Sequence, residues 1–149
     1  MKQQVLVLVK PDGMRRAISG NVLNIFMSSD VKLIALKLVK VNSSLARAHY
    51  MLLKDKFFFP QIVSYLEGKL HENAPVLAMV YEGDNAIAKC RKIAGATNPE
   101  EADPQTIRGK YGRITTKGVY ENVVHVSSNA RESAREIKLW FKKTELVRN

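Results

Sequence analysis

A chain of 149 residues is long enough to bury one core and too short for two full ones. Its composition, 46% hydrophobic and 26% charged, excludes wholesale disorder, and no run approaches the roughly 18 apolar residues that a bilayer-spanning helix requires. The 24 Lys+Arg against 14 Asp+Glu leave a formal charge of +10, which attracts polyanions (nucleotides, nucleic acid, acidic lipid) without choosing among them.

In chain order, the continuous β-branched run Val5 to Val9 predicts a strand buried on both faces, and it is too short for a secretory leader. Pro11-Asp12-Gly13 predicts a turn that ends it. Ile18, Val22, Ile25 and Phe26 have helical spacing within residues 18 to 29, and Val31 to Val41 reads as a second strand. Ser43-Ser44 offers an N-cap for a helix through Leu45, Ala48, His49, Leu52 and Leu53. A helix over Phe59 to Leu66, a strand over Pro75 to Tyr81 and a helix over Asn85 to Ala94 follow. The last strand is expected over Val119 to Val126. The last long helix is expected over Ala130 to Phe141, with Ala130, Ala134, Ile137, Trp140 and Phe141 as its apolar face. Alternating strands and helices fit an α+β fold, a ferredoxin-like antiparallel sheet covered by helices, in one domain over residues 1–149; a doubly wound parallel sheet is the competing reading. Residues 95 to 118 resist the scheme. They hold four of the eight glycines with Pro99 and Pro104, and read as a functional loop carrying Thr97, Arg108 and Arg113.

Cys90 is the only cysteine, so no intrachain disulfide can form; it reads as a small apolar helix residue in a reducing compartment, and a cytoplasmic location is expected. Chemistry concentrates near the C-terminus. Asn129-x-x-Glu132 has the spacing of a capping box, so a helix begins four residues after His125. A histidine at the mouth of a helix faces free backbone N–H groups and a positive dipole end, which favours an anion beside the ring. Imidazole can also act as a neutral nitrogen nucleophile near pH 7. Glu136 flanks the apolar face of that helix and could reach His125. Lys10 ends a buried strand, where ligands collect, while His49 and His71 read as structural or solvent-facing. The three histidines have no metal-ligand spacing, and neither a GxxxxGK[ST] loop nor a GxGxxG fingerprint is present.

Val7-Leu8-Val9-Lys10-Pro11-Asp12-Gly13, Ala48-His49-Tyr50, Ala96-Thr97-Asn98-Pro99, Thr106-Ile107-Arg108-Gly109 and Asn122-Val123-Val124-His125 resemble, in order, the signature blocks of nucleoside diphosphate kinases. The resemblance implies ping-pong transfer of a γ-phosphate between nucleoside tri- and diphosphates, with His125 as the nucleophile attacking through Nδ1 and Glu136 holding its other nitrogen. It implies that Lys10, Arg91 and Arg108 neutralise the phosphate, that Tyr50 and Thr97 add hydroxyl contacts, and that Lys10 and Asn122 contact the ribose. Phe58 would stack on the base with Val119 closing its other side, Phe59 being the other candidate for the stack. Mg²⁺, arriving mainly on the nucleotide phosphates, and a homohexamer or homotetramer are implied as well.

The chain departs from the family pattern at Val126 (commonly Gly or Ala), Ser128 (commonly acidic), Glu121 (commonly Arg) and Lys110 (commonly acidic), and is lengthened near Glu67 to Asn73 and Ile114 to Lys117. Val126 and Ser128 are expected to slow turnover without abolishing it, because a β-branched residue avoids backbone angles open to glycine and serine lacks the negative charge favoured near a helix N-terminus. A nucleic-acid-binding protein on the same fold is a possible but unfavoured reading of the charge, since the aromatic-and-basic signature of an RNA-binding sheet is missing. A weakened, nonenzymatic relative is a third reading, opposed by the full set of phosphate-handling residues.

Overall fold

The computed structural model describes residues 1–147. Its main sheet runs in the order β2 (Lys32–Val39), β3 (Val76–Asp84), β1 (Lys2–Val9), β6 (Val124–Val126), and every pairing is antiparallel. This is the ferredoxin-like order, and the antiparallel ladders exclude the doubly wound alternative. Strand β1 is central because Val5 to Val9 are fully buried and alternate between two cores. Val5, Val7 and Val9 meet Val22 and Phe26 of α2 (Ser19–Met27) and Ile87, Cys90 and Ala94 of α5 (Ala86–Ala94). Leu6 and Leu8 meet Ala46 of α3 (Ser43–His49), Val63 and Leu66 of α4 (Phe59–Leu66), and Ile137 and Trp140 of α7 (Ala130–Trp140).

Several local expectations are corrected. Pro11-Asp12-Gly13 is no turn but the start of a short helix, α1 (Pro11–Arg15), with proline in its first turn, where a missing N–H costs nothing. The N-cap of α3 is Asn42, whose side chain accepts from the Leu45 amide at 2.8 Å, and the two serines already lie inside the helix. The stretch over residues 95 to 118 is not structureless. It contains α6 (Ile107–Tyr111), capped by Thr106, and β4 (Arg113–Ile114), which pairs with β5 (Tyr120–Glu121) in a separate two-stranded sheet. The strand expected over 119 to 126 is therefore broken, with Val123 in the left-handed region at φ 69° between β5 and β6. A β-branched residue seldom adopts that conformation, so something must hold it there.

On α7 the buried stripe is Ser133, Glu136, Ile137 and Trp140, while Ala130 and Ala134 face out. Ser133 is buried because its hydroxyl donates to the Gln4 carbonyl at 2.7 Å, a partner that hydrophobicity alone does not reveal. Asn129 caps the helix by accepting from the Glu132 amide at 2.9 Å. The Glu132 carboxylate accepts from Arg135 at 2.9 Å, so only the forward half of the expected box is made.

The cap reassignment has a measurable consequence. Asn42→Ala leaves the Leu45 amide without its acceptor and should lower stability by about 1 kcal/mol. Ser43→Ala removes only an exposed contact with Arg47 and should change stability by less than about 0.5 kcal/mol. Urea unfolding of both variants at one protein concentration checks the assignment; a larger loss for Ser43→Ala returns the cap to the serines.

Candidate functional site

The site forms where the C-terminal ends of β1 and β5 meet the start of β6. The left-handed turn at Val123 is clamped by the first turn of α1. Its amide donates to Asp12 Oδ2 at 3.0 Å, and its carbonyl accepts from the Lys10 amide at 2.8 Å. Gly13 completes the clamp, since an added Cβ there would lie 2.9 Å from Val9 Cγ1 and 3.0 Å from Val123 Cγ1. The turn leaves Asn122 and His125 on the same crowded edge as Lys10.

His125 pairs with Leu8 across the β1–β6 ladder, and its side chain keeps 20% exposure. Its Nε2 lies 3.0 Å from Glu136 Oε2, and the Ser127 hydroxyl donates to the same oxygen at 2.5 Å. Burial alone would raise the Glu136 pKa, but the bonds from His125 and Ser127 and the nearby Arg135 charge together hold it below the ordinary carboxylate value. An ionised Glu136 can only accept, so His125 carries its proton on Nε2 and leaves the Nδ1 lone pair free. Ser127 was missed from sequence, although the period of a strand places it on the same face as His125.

Lys10 is 7% exposed, donates to Asn122 Oδ1 and lies 4.6 Å from the centre of the Tyr65 ring. Burial pushes its pKa down to about 8; Asp12 opposes the shift and Arg108 adds to it. Arg108 donates to the Gly95 carbonyl and the Val124 carbonyl, both at 2.8 Å, which ties the loop after α5 to β6. Its pKa is lowered to about 10 by burial and then by the Arg91 charge, so both arginines act in one field. Gly95 must be glycine: its φ is 88°, and an added Cβ would lie 2.3 Å from Thr106 Oγ1. Asn122 also donates to the Thr97 carbonyl at 2.8 Å, while the Thr97 side chain is exposed. The Tyr50 hydroxyl is raised above its ordinary range by burial, with Glu136 and Asp12 adding to the shift.

The structure thus gathers Lys10, Tyr50, Arg91, Arg108, Asn122, His125 and Glu136, with Thr97 joined through its backbone. Phe58 is half-buried at the N-cap of α4, its ring 5.4 Å from that of Phe57. Phe59 points into the core beside Val63, which removes it as a stacking candidate. Val119 lies on the β4–β5 hairpin, lining a groove of about 300 Å³ with His71, Thr115 and Lys117. Val126 is buried opposite Val7 and carries no positive φ, so the backbone argument for glycine there fails; the strained position is Val123. Glu121 is buried, lies 2.6 Å from His71 Nε2 and is ion-paired with Arg113. His71 is accordingly structural, as is His49, which is buried against His125.

This arrangement offers a ring nitrogen whose lone pair is not committed within the protein, backed by a carboxylate and flanked by cations. The nucleoside diphosphate kinase family model matches residues 3–146. The chain is 41% identical over 145 residues to a nucleoside diphosphate kinase of a Cyanothece species, an alignment covering 97% of this chain and 91% of that protein. Its fold is similar to that of a nucleoside-diphosphate kinase from Borrelia burgdorferi, a transition-state mimic with bound vanadate and ADP, at a TM-score of 0.89 and 34% identity over 99% of this chain and 92% of that one. It is also similar to a halophilic nucleoside diphosphate kinase from Halobacterium salinarum in complex with CDP, at a TM-score of 0.89 and 35% identity over 99% of this chain and 93% of that one.

Glu136 should leave a pH signature in stability. A depressed carboxylate pKa stabilises the fold above the unfolded-state value and loses that contribution as pH falls through the folded-state value. The stability advantage of the wild type over Glu136→Gln should be full at about pH 7 and shrink below the unfolded carboxylate value of 4.5. Paired denaturant melts across that range measure it; a gap that widens on acidification contradicts the ionised assignment.

Proposed function

The chain belongs to the nucleoside diphosphate kinase family, and from that premise we propose that His125 is the group that carries the phosphate. The activity is the family's: a terminal phosphate moves from a nucleoside triphosphate to a nucleoside diphosphate. In the first half-reaction the lone pair of His125 Nδ1 attacks the γ-phosphorus. The N–P bond forms as the bond to the β–γ bridging oxygen breaks, and the diphosphate leaves with that electron pair. In the second, a terminal oxygen of the acceptor diphosphate attacks the same phosphorus and the bonding pair returns to Nδ1. Glu136 stabilises the charge that grows on the ring as nitrogen bonds to phosphorus, because it already holds Nε2–H. The observation that carries the reading is this shared carboxylate oxygen, which fixes the tautomer with Nδ1 free.

Lys10, Arg91 and Arg108, with Tyr50 and Thr97, bind and neutralise the phosphates, which is most of what phosphoryl transfer asks of a protein. Asn122 and Lys10 hold the ribose. Phe58 and Val119 grip the base; stacking reads no base edge and tolerates every base. Relatives solved with ADP and with CDP support that tolerance.

Mg²⁺ fits this donor set as a passenger on the phosphates. Among the described residues the nearby carboxylates each spend one oxygen inside the protein, Asp12 Oδ2 on the Val123 amide and Glu136 Oε2 on His125 and Ser127, so few oxygens remain for an all-protein cage and the phosphates would supply most of the ligands. Bound with the nucleotide, Mg²⁺ would supply further neutralisation of phosphate charge beside Lys10, Arg91 and Arg108. The chain works as one domain over residues 1–149, in the cytoplasm, as a homohexamer or homotetramer. The edge strand β2, with Leu36 48% and Leu38 62% exposed, supports self-association. No helix among the described residues is long and apolar enough to cross a membrane.

Incubation with γ-labelled ATP and Mg²⁺ should label the wild type with an acid-labile, base-stable phosphate that a nucleoside diphosphate removes. His125→Ala should take up no label, and equal labelling of that variant sinks the assignment. Lys10 adds a pH signature: it binds phosphate only when protonated, and burial sets its pKa at about 8. The kcat/KM should therefore fall above about pH 8, approaching tenfold per pH unit. The kcat limb should lie higher, because bound phosphate favours the charged lysine. A flat kcat/KM profile to about pH 10 removes Lys10 from phosphate binding.

A further inference from the structure

His49 occupies a position that packing alone does not explain. It ends α3, is 3% exposed, and is enclosed by aromatic rings. Its centroid lies 4.4 Å from that of His125 with the planes at 80°, and 5.6 Å from that of Trp140 at 88°. Trp140 Nε1 donates to His49 Nδ1 at 3.1 Å. An indole N–H is only a donor, so Nδ1 presents its lone pair and a neutral ring carries its proton on Nε2. That Nε2 is buried and has no hydrogen-bond partner among the described residues. Burial, followed by the charges of His125, Arg135 and Lys10, drives the His49 pKa well below the ordinary histidine value, so the ring stays neutral.

Ring nitrogens of His49 and His125 and an oxygen of Glu136 lie within 4.8 Å of one another, which resembles a metal trio. The tautomer argues against a metal. Nε2 carries a proton, and freeing its lone pair would require loss of the Trp140 bond. The Nε2 of His125 is likewise committed to Glu136. What remains is a brace. Helix α7 places Glu136 and Trp140 one turn apart on its buried stripe, and each fixes one histidine through a ring nitrogen. Arg135, the residue before Glu136, donates to the Ala48 carbonyl at 2.8 Å and the His49 carbonyl at 3.0 Å, which locks α7 to the end of α3.

We propose that His49 is a positioning residue for phosphoryl transfer: held by Trp140 as the neutral Nε2–H form, it braces the His125 ring edge-to-face and fixes the angle at which Nδ1 meets phosphorus. The proposal rests on His125 being the nucleophile. It accounts for a polar ring where an apolar one would fill the space without leaving a buried N–H unpaired.

The test uses the full-length protein, with rapid-quench measurement of phosphoenzyme formation and steady-state kcat and KM. His49→Phe keeps an aromatic ring but removes the anchor for Trp140. It should slow phosphoenzyme formation about tenfold with KM within about twofold of wild type, the mark of lost alignment without lost binding. Trp140→Phe should slow the same step by a smaller factor, and the double variant should be no slower than His49→Phe, because both act through one contact. ¹⁵N NMR of the wild type should show His49 protonated on Nε2 alone, and Trp140→Phe should mix the tautomers. A folded His49→Phe that forms phosphoenzyme within twofold of the wild-type rate overturns the proposal, as do multiplicative effects in the double variant. If His49→Phe does not fold, Trp140→Phe decides: mixed tautomers with a slowed step support the brace, and an unchanged step overturns it. Failure of His125 to label in the wild type is a different result: it overturns the nucleophile itself, and the positioning role falls with it, whereas normal wild-type labelling with an unslowed His49→Phe overturns the positioning role alone.

Discussion

Everything at this edge of the sheet depends on one buried carboxylate meeting one amide. Asp12, 1% exposed, accepts from Val123, and the neighbouring Lys10 amide donates to the Val123 carbonyl. Without those bonds a valine would relax toward the β region, and the strand would continue straight through Asn122. Backbone strain of about 1–3 kcal/mol persists only where surrounding groups over-determine the conformation, and here a helix turn does so from both sides. The result is functional geometry: Lys10 emerges before the clamp, Asn122 at it and His125 just after it, so residues more than a hundred positions apart share one site.

From the clamp outward, the remaining parts follow from where lone pairs and protons are allowed to sit. Glu136 enters from α7 and takes two donors on one oxygen, which settles the His125 tautomer. Arg108 spends donors on two carbonyls, so its position belongs to the backbone and not to the ligand. Lys10 is desolvated, so its ammonium is held less firmly than in water and a bound phosphate would stabilise it. A site built in this way is rigid before anything binds, and such preorganisation is where electrostatic stabilisation gains its strength.

Much of this was legible in the sequence, for reasons that differ by element. Val5 to Val9 could be placed because a continuous apolar run has few uses other than a covered strand, and Cys90 fell on a buried helix face as its neighbours required. His125 was legible through the helix that follows it. The α1 turn, the Asn42 cap and the break at Val123 were not, because each is decided by a hydrogen bond to a distant or adjacent group that periodicity does not encode. The burial of Ser133 and Ser127 was hidden for the same reason: Ser133 is admitted by the Gln4 carbonyl, and Ser127 by Glu136 and the Leu6 backbone. Phe58 and Phe59 were indistinguishable by type, and only the start of α4 sorts one to the rim and the other to the core.

The pairing of Glu121 bears on how such a chain can change over generations. A buried carboxylate sits between His71, from the segment after α4, and Arg113, at the start of the β4–β5 hairpin. The carboxylate and the two segments that hold it therefore form one unit. Putting arginine at 121 in a single step would set a buried cation against Arg113 and leave His71 with no acceptor, a loss larger than either contact is worth. Any route to a cation there passes through a less stable intermediate unless 113 or 71 changes first. The position is thus entrenched by its neighbours: which residues 121 can tolerate depends on what stands at 71 and 113.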